Sequence, residues 1–309
     1  MERNLLTDNN KTANSPVILA KTETKFNLIY VIQTGDFREI WFKGKGERDF
    51  FLQSRINLQS PFDPELVYSQ MMMASLFLKP NPKRILMIGL GAAVVSNFMH
   101  HQFSNLHLDV VEIDPMVLTA AKKYFFLKES PRYKVHILDG RVFLKNQIGG
   151  ETYDMVFLDA FKSGSVPYHL KTVEFYREIK AVLCPDGLVC SNLYGKSNEM
   201  KPSDRKSFQK VFSNIYTFED PDRVATVLLA QNGEKQWSAK DFRNSANQWE
   251  GKFGFSMKSV ASYFKQGQFA PDSGSEFKDD FTNAEFARAV EKNNSNDSLY
   301  RPYPIQNTH

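Results

Sequence analysis

The sequence predicts an α/β fold: a mostly parallel, doubly wound sheet with an antiparallel hairpin at one edge and a small antiparallel β unit ahead of it. Three observations carry this prediction. From Arg84 onward, apolar runs of strand length alternate with helix-length stretches, as in repeated strand–helix–strand units. The runs are almost continuously apolar, which suits strands covered on both faces. The last two, Ile215 to Phe218 and Thr226 to Ala230, are separated only by Glu219 to Ala225, too short a connection for a helical crossover and right for an antiparallel pair.

In chain order, Met1 to Pro16 is rich in Asn, Thr and charge, and residues 1–25 are expected to be a polar tail. Phe26 to Gln33, Phe37 to Lys43 and Asp49 to Gln53 are β-branched or aromatic runs separated by Thr34-Gly35-Asp36 and Gly44-Lys45-Gly46. They predict hairpins in a small β unit over residues 26–64. Pro61 to Pro64 ends that pattern, and Glu65 to Leu78 reads as one helix, free of Pro and Gly, leading into a main domain over residues 65–290. Its parallel strands are expected at Ile85 to Gly89, Leu108 to Ile113, Val135 to Leu138, Met155 to Asp159 and Leu188 to Asn192. Helices are expected at Ala92 to Phe103, Pro115 to Phe125, Arg141 to Ile148 and Val173 to Leu183, with a helical stretch over Ala239 to Phe264. Residues 291–309 read as a second polar tail. Five parallel strands closed by a hairpin resemble the Rossmann-like fold of S-adenosylmethionine-dependent methyltransferases.

Composition narrows the function classes. The 309 residues are 42% hydrophobic, enough for a sizeable core. Lys and Arg number 39 against 35 Asp and Glu, a net charge of +4 without a dense basic tract, so nucleic acid is not an expected partner. No run approaches the roughly 18 apolar residues of a membrane span, and no apolar signal-peptide core is apparent; a cytoplasmic protein without membrane contact is expected. Cys184 and Cys190 flank Pro185-Asp186-Gly187 before a buried strand and read as structural thiols.

The first candidate site is where the strand at Ile85 to Ile88 runs through Gly89-Leu90-Gly91-Ala92-Ala93 into a helix. A glycine turn there lets backbone approach a ligand and aims helix N–H groups at it. Glu112 closes the next strand, 21 residues after Gly91 and near the spacing at which a carboxylate meets ribose hydroxyls. The pair predicts an adenosine-bearing cofactor. Asp139-Gly140 follows the third strand; Asp139 suits either the adenine amino group or a helix cap. Asp159 ends the fourth strand at the carboxyl edge of the sheet, where it is placed to orient an amine and take its proton; a helix cap is the alternative. The histidines lack ligand spacing, so no metal is expected, and no Gly-x-Ser-x-Gly elbow supports a hydrolase.

ILMIGLG, DVVEIDPMVLTAAKKYF, HILDGRVFL, YDMVFLDAF and VYSQMMMASLFL together resemble the spermidine synthase family of aminopropyltransferases. QSRINLQSP, YTFEDPD and FKDDFTNAEF extend the likeness over residues 26 to 287. The resemblance implies that Gly89, Gly91, Glu112, Asp139 and Gly140 bind decarboxylated S-adenosylmethionine or S-adenosylmethionine itself as co-substrate. It implies that Asp159 is catalytic, that Tyr68 lines the acceptor channel, and that a small-molecule amine is the acceptor. A homodimer through the N-terminal β unit is a further implication.

The chain departs from the family pattern where amines are held. The family's Gly-Gly-Gly-Asp-Gly is here Gly89-Leu90-Gly91-Ala92-Ala93, its Asp-Ser-Ser-Asp is Asp159-Ala160-Phe161-Lys162, and its Tyr-x-Glu-Met is Tyr68-Ser69-Gln70-Met71. Two carboxylates become neutral and one position becomes cationic. Three readings follow: aminopropyl transfer to an amine, methyl transfer from S-adenosylmethionine, or nucleoside binding without turnover.

Overall fold

A computed structural model of the chain describes residues 15–44, 50–161, 166–193, 201–222, 225–265 and 274–279. The turn at Lys45-Gly46, Lys162 and the segments 1–14 and 291–309 lie outside the described residues.

The N-terminal unit is a four-stranded antiparallel sheet in sequential order: β1 (Val17–Glu23), β2 (Asn27–Thr34), β3 (Phe37–Gly44) and β4 (Phe51–Asn57). β1 corrects the expectation of a tail through residue 25. Its Val17 and Ile18 are exposed and Lys21, Thr22 and Glu23 are polar, so its composition reads as a tail. What makes it a strand is backbone pairing with β2, from Val17 opposite Gln33 to Glu23 opposite Leu28.

The predicted helix over Glu65 to Leu78 is instead two short helices, α1 (Val67–Met72) and α2 (Ser75–Leu78), joined through Met73 and Ala74. The N–H groups of Met73, Ala74, Leu76 and Phe77 each reach a carbonyl three residues back, so the helix tightens at the junction. Met71 to Phe77 is buried almost without exposure, and packing sets the path there.

The main sheet has eight strands in the order β12-β10-β11-β9-β8-β5-β6-β7. These are β5 (Arg84–Ile88), β6 (His107–Glu112), β7 (Tyr133–Ile137), β8 (Tyr153–Leu158), β9 (Leu183–Asn192), β10 (Asn214–Glu219), β11 (Thr226–Gln231) and the two-residue β12 (Phe264–Lys265). β9-β8-β5-β6-β7 is parallel, and β11, β10 and β12 add antiparallel pairs at one edge. The crossovers are α3 (Val94–Gln102), α4 (Pro115–Tyr124), α5 (Gly140–Gln147) and α6 (Val173–Val182). α7 (Lys201–Gln209), which the sequence patterns do not predict, precedes β10. The stretch expected to be helical from Ala239 to Phe264 divides into α8 (Ala239–Trp249), α9 (Met257–Ser262) and β12.

Successive residues of the central strands face opposite ways, so each strand feeds two cores. Ile85, Met87, Val110, Met155, Phe157, Leu188 and Cys190 pack with α1, α3, α8, α9 and one face of the N-terminal sheet. Leu86, Ile88, Val111, Val156, Leu158 and Val189 pack with α5, α6 and α7. This is why the strands read as continuous apolar runs. Each large side chain so buried contributes about 1.5–3 kcal/mol.

Residues 274–279 lie across the second core. Phe277 N–H donates to Ser207 Oγ at 2.9 Å, Val173 N–H donates to Phe277 O at 2.9 Å, and the Phe277 ring is buried. Lys171 Nζ, 5.8 Å from that ring centre, meets Asp204 Oδ2 at 2.9 Å. Both charges are shielded, with side-chain exposures of 5% and 0%. Asp204→Ala strands the ammonium and is expected to lower the unfolding free energy by about 3–5 kcal/mol. Urea denaturation checks this, and an unchanged midpoint would show that the pair does not hold α7 to the segment that leads into α6.

Candidate active site

The carboxyl ends of the parallel strands form the floor of a cavity of about 450 Å³, a size suited to a nucleoside-bearing ligand. Because sheet order fixes the order of the floor, Asn192 (β9), Asp159 (β8), Gly89 (β5), Glu112 (β6) and Asp139 (after β7) follow one another along one edge. The sequence-predicted residues Tyr68, Gly89, Gly91, Glu112, Asp139, Gly140 and Asp159 all line this one cavity.

β5 ends in the glycine turn. Gly89 has φ 99°, and a Cβ there would lie 2.3 Å from the Asp159 carbonyl oxygen, so only glycine lets the loop pass so close to β8. Gly91 has φ 53°, and its absent Cβ leaves room for Ser54 Oγ of β4. Ala93, the residue before α3, takes φ 59°, where a non-glycine residue carries about 1–2 kcal/mol of strain. Glu112 is tied to this turn: its Oε2 accepts from Leu90 N–H at 3.1 Å and its Oε1 from Asp114 N–H at 2.9 Å. A carboxylate has about four acceptor sites, so with the Ile113 N–H also directed at it this group retains capacity for a ligand hydroxyl. Removal from water, only partly offset by these bonds, pushes the Glu112 carboxyl up to about 7.

Asp159 continues β8 by one residue, with its N–H donating to Ile88 O at 2.9 Å. Its Oδ1 accepts from Asn192 Nδ2 at 2.9 Å, and burial outweighs that bond and pushes the carboxyl up to about 7. Sequence reasoning misses Asn192. Its signal is its position: it too ends a central strand at the carboxyl edge.

Asp139 caps α5, its Oδ1 accepting from Arg141 N–H at 3.0 Å and Val142 N–H at 3.1 Å. Its Oδ2 lies 2.9 Å from His169 Nε2. The bond to His169 and the two backbone donors hold this carboxyl below its usual range. The helix cap is therefore present, while the carboxylate still lines the cavity. A Cβ on Gly140 would lie 2.3 Å from Ile88 Cγ2, so this position keeps α5 close to β5. Arg141 then binds Glu178 and Asp279 bidentately and donates to His169 O at 3.2 Å, linking the segment 274–279 to the cavity wall. His169 offers no spacing signal in the sequence.

The N-terminal sheet supplies the roof. Thr24 Oγ1 donates to Asp114 Oδ2 at 2.6 Å, and Phe26 and Asn27 line the cavity. Tyr68 donates its hydroxyl hydrogen to Gln53 O at 2.8 Å. Two of the expected departures lie back from the space: Ala92 is fully buried, and Gln70 Nε2 donates to Pro64 O at 2.9 Å without lining the cavity. Among the described lining residues, the charge-bearing groups are the carboxyls of Glu112, Asp114, Asp139 and Asp159 and the His169 imidazole, with no Lys or Arg.

The raised carboxyls set a pH dependence. Asp159 binds its proton more tightly folded than unfolded, so its contribution to stability is largest below its ordinary value of 3.8 and declines as pH rises towards about 7. Asp159→Asn is expected to match the parent near pH 4 and to become more stable than it by on the order of 1–3 kcal/mol at pH 8. Urea unfolding at the two pH values checks this; a variant less stable at pH 8 would contradict it.

Comparison with known proteins follows the same lines. A family model described as "Spermine/spermidine synthase domain" matches residues 65–238, more than half of the chain. A polyamine aminopropyltransferase of Vibrio vulnificus is 34% identical over 216 residues, covering 69% of this chain and 71% of that protein. An eEF1A lysine and N-terminal methyltransferase of Xenopus laevis is 29% identical over 197 residues, 59% of this chain but only 28% of that longer protein. The crystal structure of a probable spermidine synthase from Corynebacterium glutamicum shares the fold, with a TM-score of 0.68 at 18% identity, over 86% of this chain and 98% of that one. By the extent of the family match and the identity to the Vibrio protein, the chain belongs to the spermine/spermidine synthase family.

Proposed function

We propose that the protein is an aminopropyltransferase that moves the aminopropyl group of decarboxylated S-adenosylmethionine to an amine. The observation that carries this is the acidic floor of the cavity, with one desolvated carboxyl, Asp159, at the end away from the other three. A donor bearing a sulfonium and an ammonium suits such a field, and the carboxylate of intact S-adenosylmethionine does not.

In this reading the glycine turn admits the donor's 5′ side, Glu112 accepts from the ribose hydroxyls, and Asp139 faces the adenine. Ile113 and Leu138, both exposed and both lining the cavity beside those acids, offer apolar faces to the purine. Asp159, oriented by Asn192, accepts a proton from the acceptor ammonium. The freed nitrogen lone pair forms a C–N bond to the carbon beside sulfur as the C–S bond breaks, and its electron pair leaves on sulfur as neutral methylthioadenosine. A carboxyl with a value near 7 is poised for that proton transfer at neutral pH. Kinship with the eEF1A methyltransferases supports methyl transfer as a second reading; it would release S-adenosylhomocysteine instead.

Incubation with each donor and an amine mixture, with mass-spectrometric detection of the nucleoside released, separates the two; S-adenosylhomocysteine alone would overturn the aminopropyl assignment. Asp159→Asn is expected to keep methylthioadenosine affinity and to lose about 10²- to 10⁴-fold in turnover. Glu112→Ala is expected to weaken methylthioadenosine binding by about 1.5–3 kcal/mol in calorimetry, the worth of hydrogen bonds to a charged group. Unchanged affinity would remove Glu112 from the ribose site.

A further inference from the structure

The two oxygens of Asp139 have separate duties. Oδ1 accepts from Arg141 N–H and Val142 N–H and so caps α5, while Oδ2 lies 2.9 Å from His169 Nε2. An ionised carboxylate only accepts, so Nε2 carries the hydrogen of that bond and the imidazole is the donor. This bond is the largest of the interactions that hold the Asp139 carboxyl below its usual range. His169 is itself held from several sides. It sits in a single 3-10 turn, Tyr168–Leu170, closed by bonds from Leu170 N–H to Pro167 O and from Lys171 N–H to Tyr168 O, both at 3.0 Å. Arg141 Nη1 donates to His169 O at 3.2 Å, and the chain that follows is anchored by Lys171 on Asp204 and by Thr172 Oγ1, which donates to Asp279 Oδ1 at 2.9 Å. A backbone so braced limits where the imidazole can stand, and with it the direction in which Oδ2 faces the cavity that both side chains line.

We propose that His169 is a positioning residue for base recognition, which by fixing Asp139 Oδ2 makes the site accept a purine with a 6-amino group and reject its 6-oxo counterpart. The inference deepens the reading that sets adenine against Asp139 and rests on it. A carboxylate oxygen can accept more than one bond, so Oδ2 has capacity for an exocyclic N–H besides that of His169. An amino group at C6 donates to it. A carbonyl there turns a second acceptor towards an acceptor-only group and leaves the carboxylate unpaired. The 6-oxo purine does carry a donor, N1–H, but one ring position away. Held by the cap bonds alone, the carboxylate could turn about Oδ1, draw back from the carbonyl and meet that N1–H. The His169 bond withholds this freedom, so the choice between the two bases depends on it. Glu112 and the glycine turn face parts of the nucleoside that both purines share, and cancel from the comparison.

Calorimetry of the full chain with 5′-methylthioadenosine and 5′-methylthioinosine gives the ratio of the two affinities. The parent is expected to favour methylthioadenosine about a hundredfold. His169→Phe and His169→Ala, which lack the donor, are expected to narrow that preference to about tenfold or less, and either serves where the other fails to fold. His169→Gln, whose amide N–H can donate from the place of Nε2, is expected to keep most of it. Loss of ring packing alone would weaken both nucleosides alike and leave the ratio unchanged. An unchanged ratio in either donor-less variant, or a parent that binds the two nucleosides equally, overturns the proposal while the nucleoside site stands. A ratio in His169→Gln as low as in the donor-less variants also overturns it. A parent that binds neither nucleoside overturns the nucleoside site and the proposal together. Both co-substrates considered above carry the same base, so none of these outcomes depends on which group is transferred.

Discussion

The approach of the glycine turn to the end of β8 is the contact on which the rest of the site depends. β5 and β8 pair in parallel from Ile85 opposite Met155 to Ile88 opposite Leu158, and the ladder runs on through the bond from Asp159 N–H to Ile88 O. At that point the chain of β5 turns away at Gly89 with no space for a Cβ. The turn therefore lies against the backbone of the residue that carries the Asp159 carboxyl. On its other side Gly89 N–H donates to Val111 O at 2.9 Å and Leu90 N–H donates to Glu112, so one loop sets the positions of both half-buried carboxyls. Any larger residue at Gly89 would separate the two ends of the cavity.

Carboxyl groups drawn out of water are unfavourable for the unliganded protein, and this chain places two of them on one cavity floor. The surrounding structure compensates by fixing them with directed bonds, Asn192 on one and the Leu90 and Asp114 N–H groups on the other. A cationic ligand relieves the same tension. Asp139 shows the opposite balance: three donors converge on it and hold its proton affinity low, so it is the carboxylate of the three that stays charged most readily.

Residues near both ends of the described chain reach the cavity or its wall by contacts that span long sequence separations. Thr24, from the hairpin between β1 and β2, bonds Asp114 at the head of α4. Asp279, from the far end of the described chain, binds Arg141, which in turn holds His169 O beside Asp139. The N-terminal sheet and the segment 274–279 are thus walls and braces of a site whose floor belongs entirely to the central sheet.

How much of the protein is legible in its sequence follows from which forces are local. Continuous apolar runs, the Gly89-Leu90-Gly91 turn and acids ending strands are local patterns, so the parallel sheet, its edge hairpin and the floor residues Glu112, Asp139 and Asp159 can be read from the residues alone. β1 cannot, because it is a strand only through backbone bonds to β2, and α1 and α2 read as one helix because burial of Met71 to Phe77, not propensity, shapes their junction. Asn192 carries the same strand-end signal as Asp159, but an amide attracts no notice until it is seen to hold the carboxyl. His169, Thr24 and Arg141 have no signal at all, since their partners lie 30, 90 and up to 138 residues away in sequence. The sequence by itself determined that strand ends carry acids beside a glycine turn. Only the tertiary structure decided that three of the cavity's acids gather at one end and Asp159 stands apart, because sheet order, with β5 between β6 and β8, is set by packing and pairing across the whole chain.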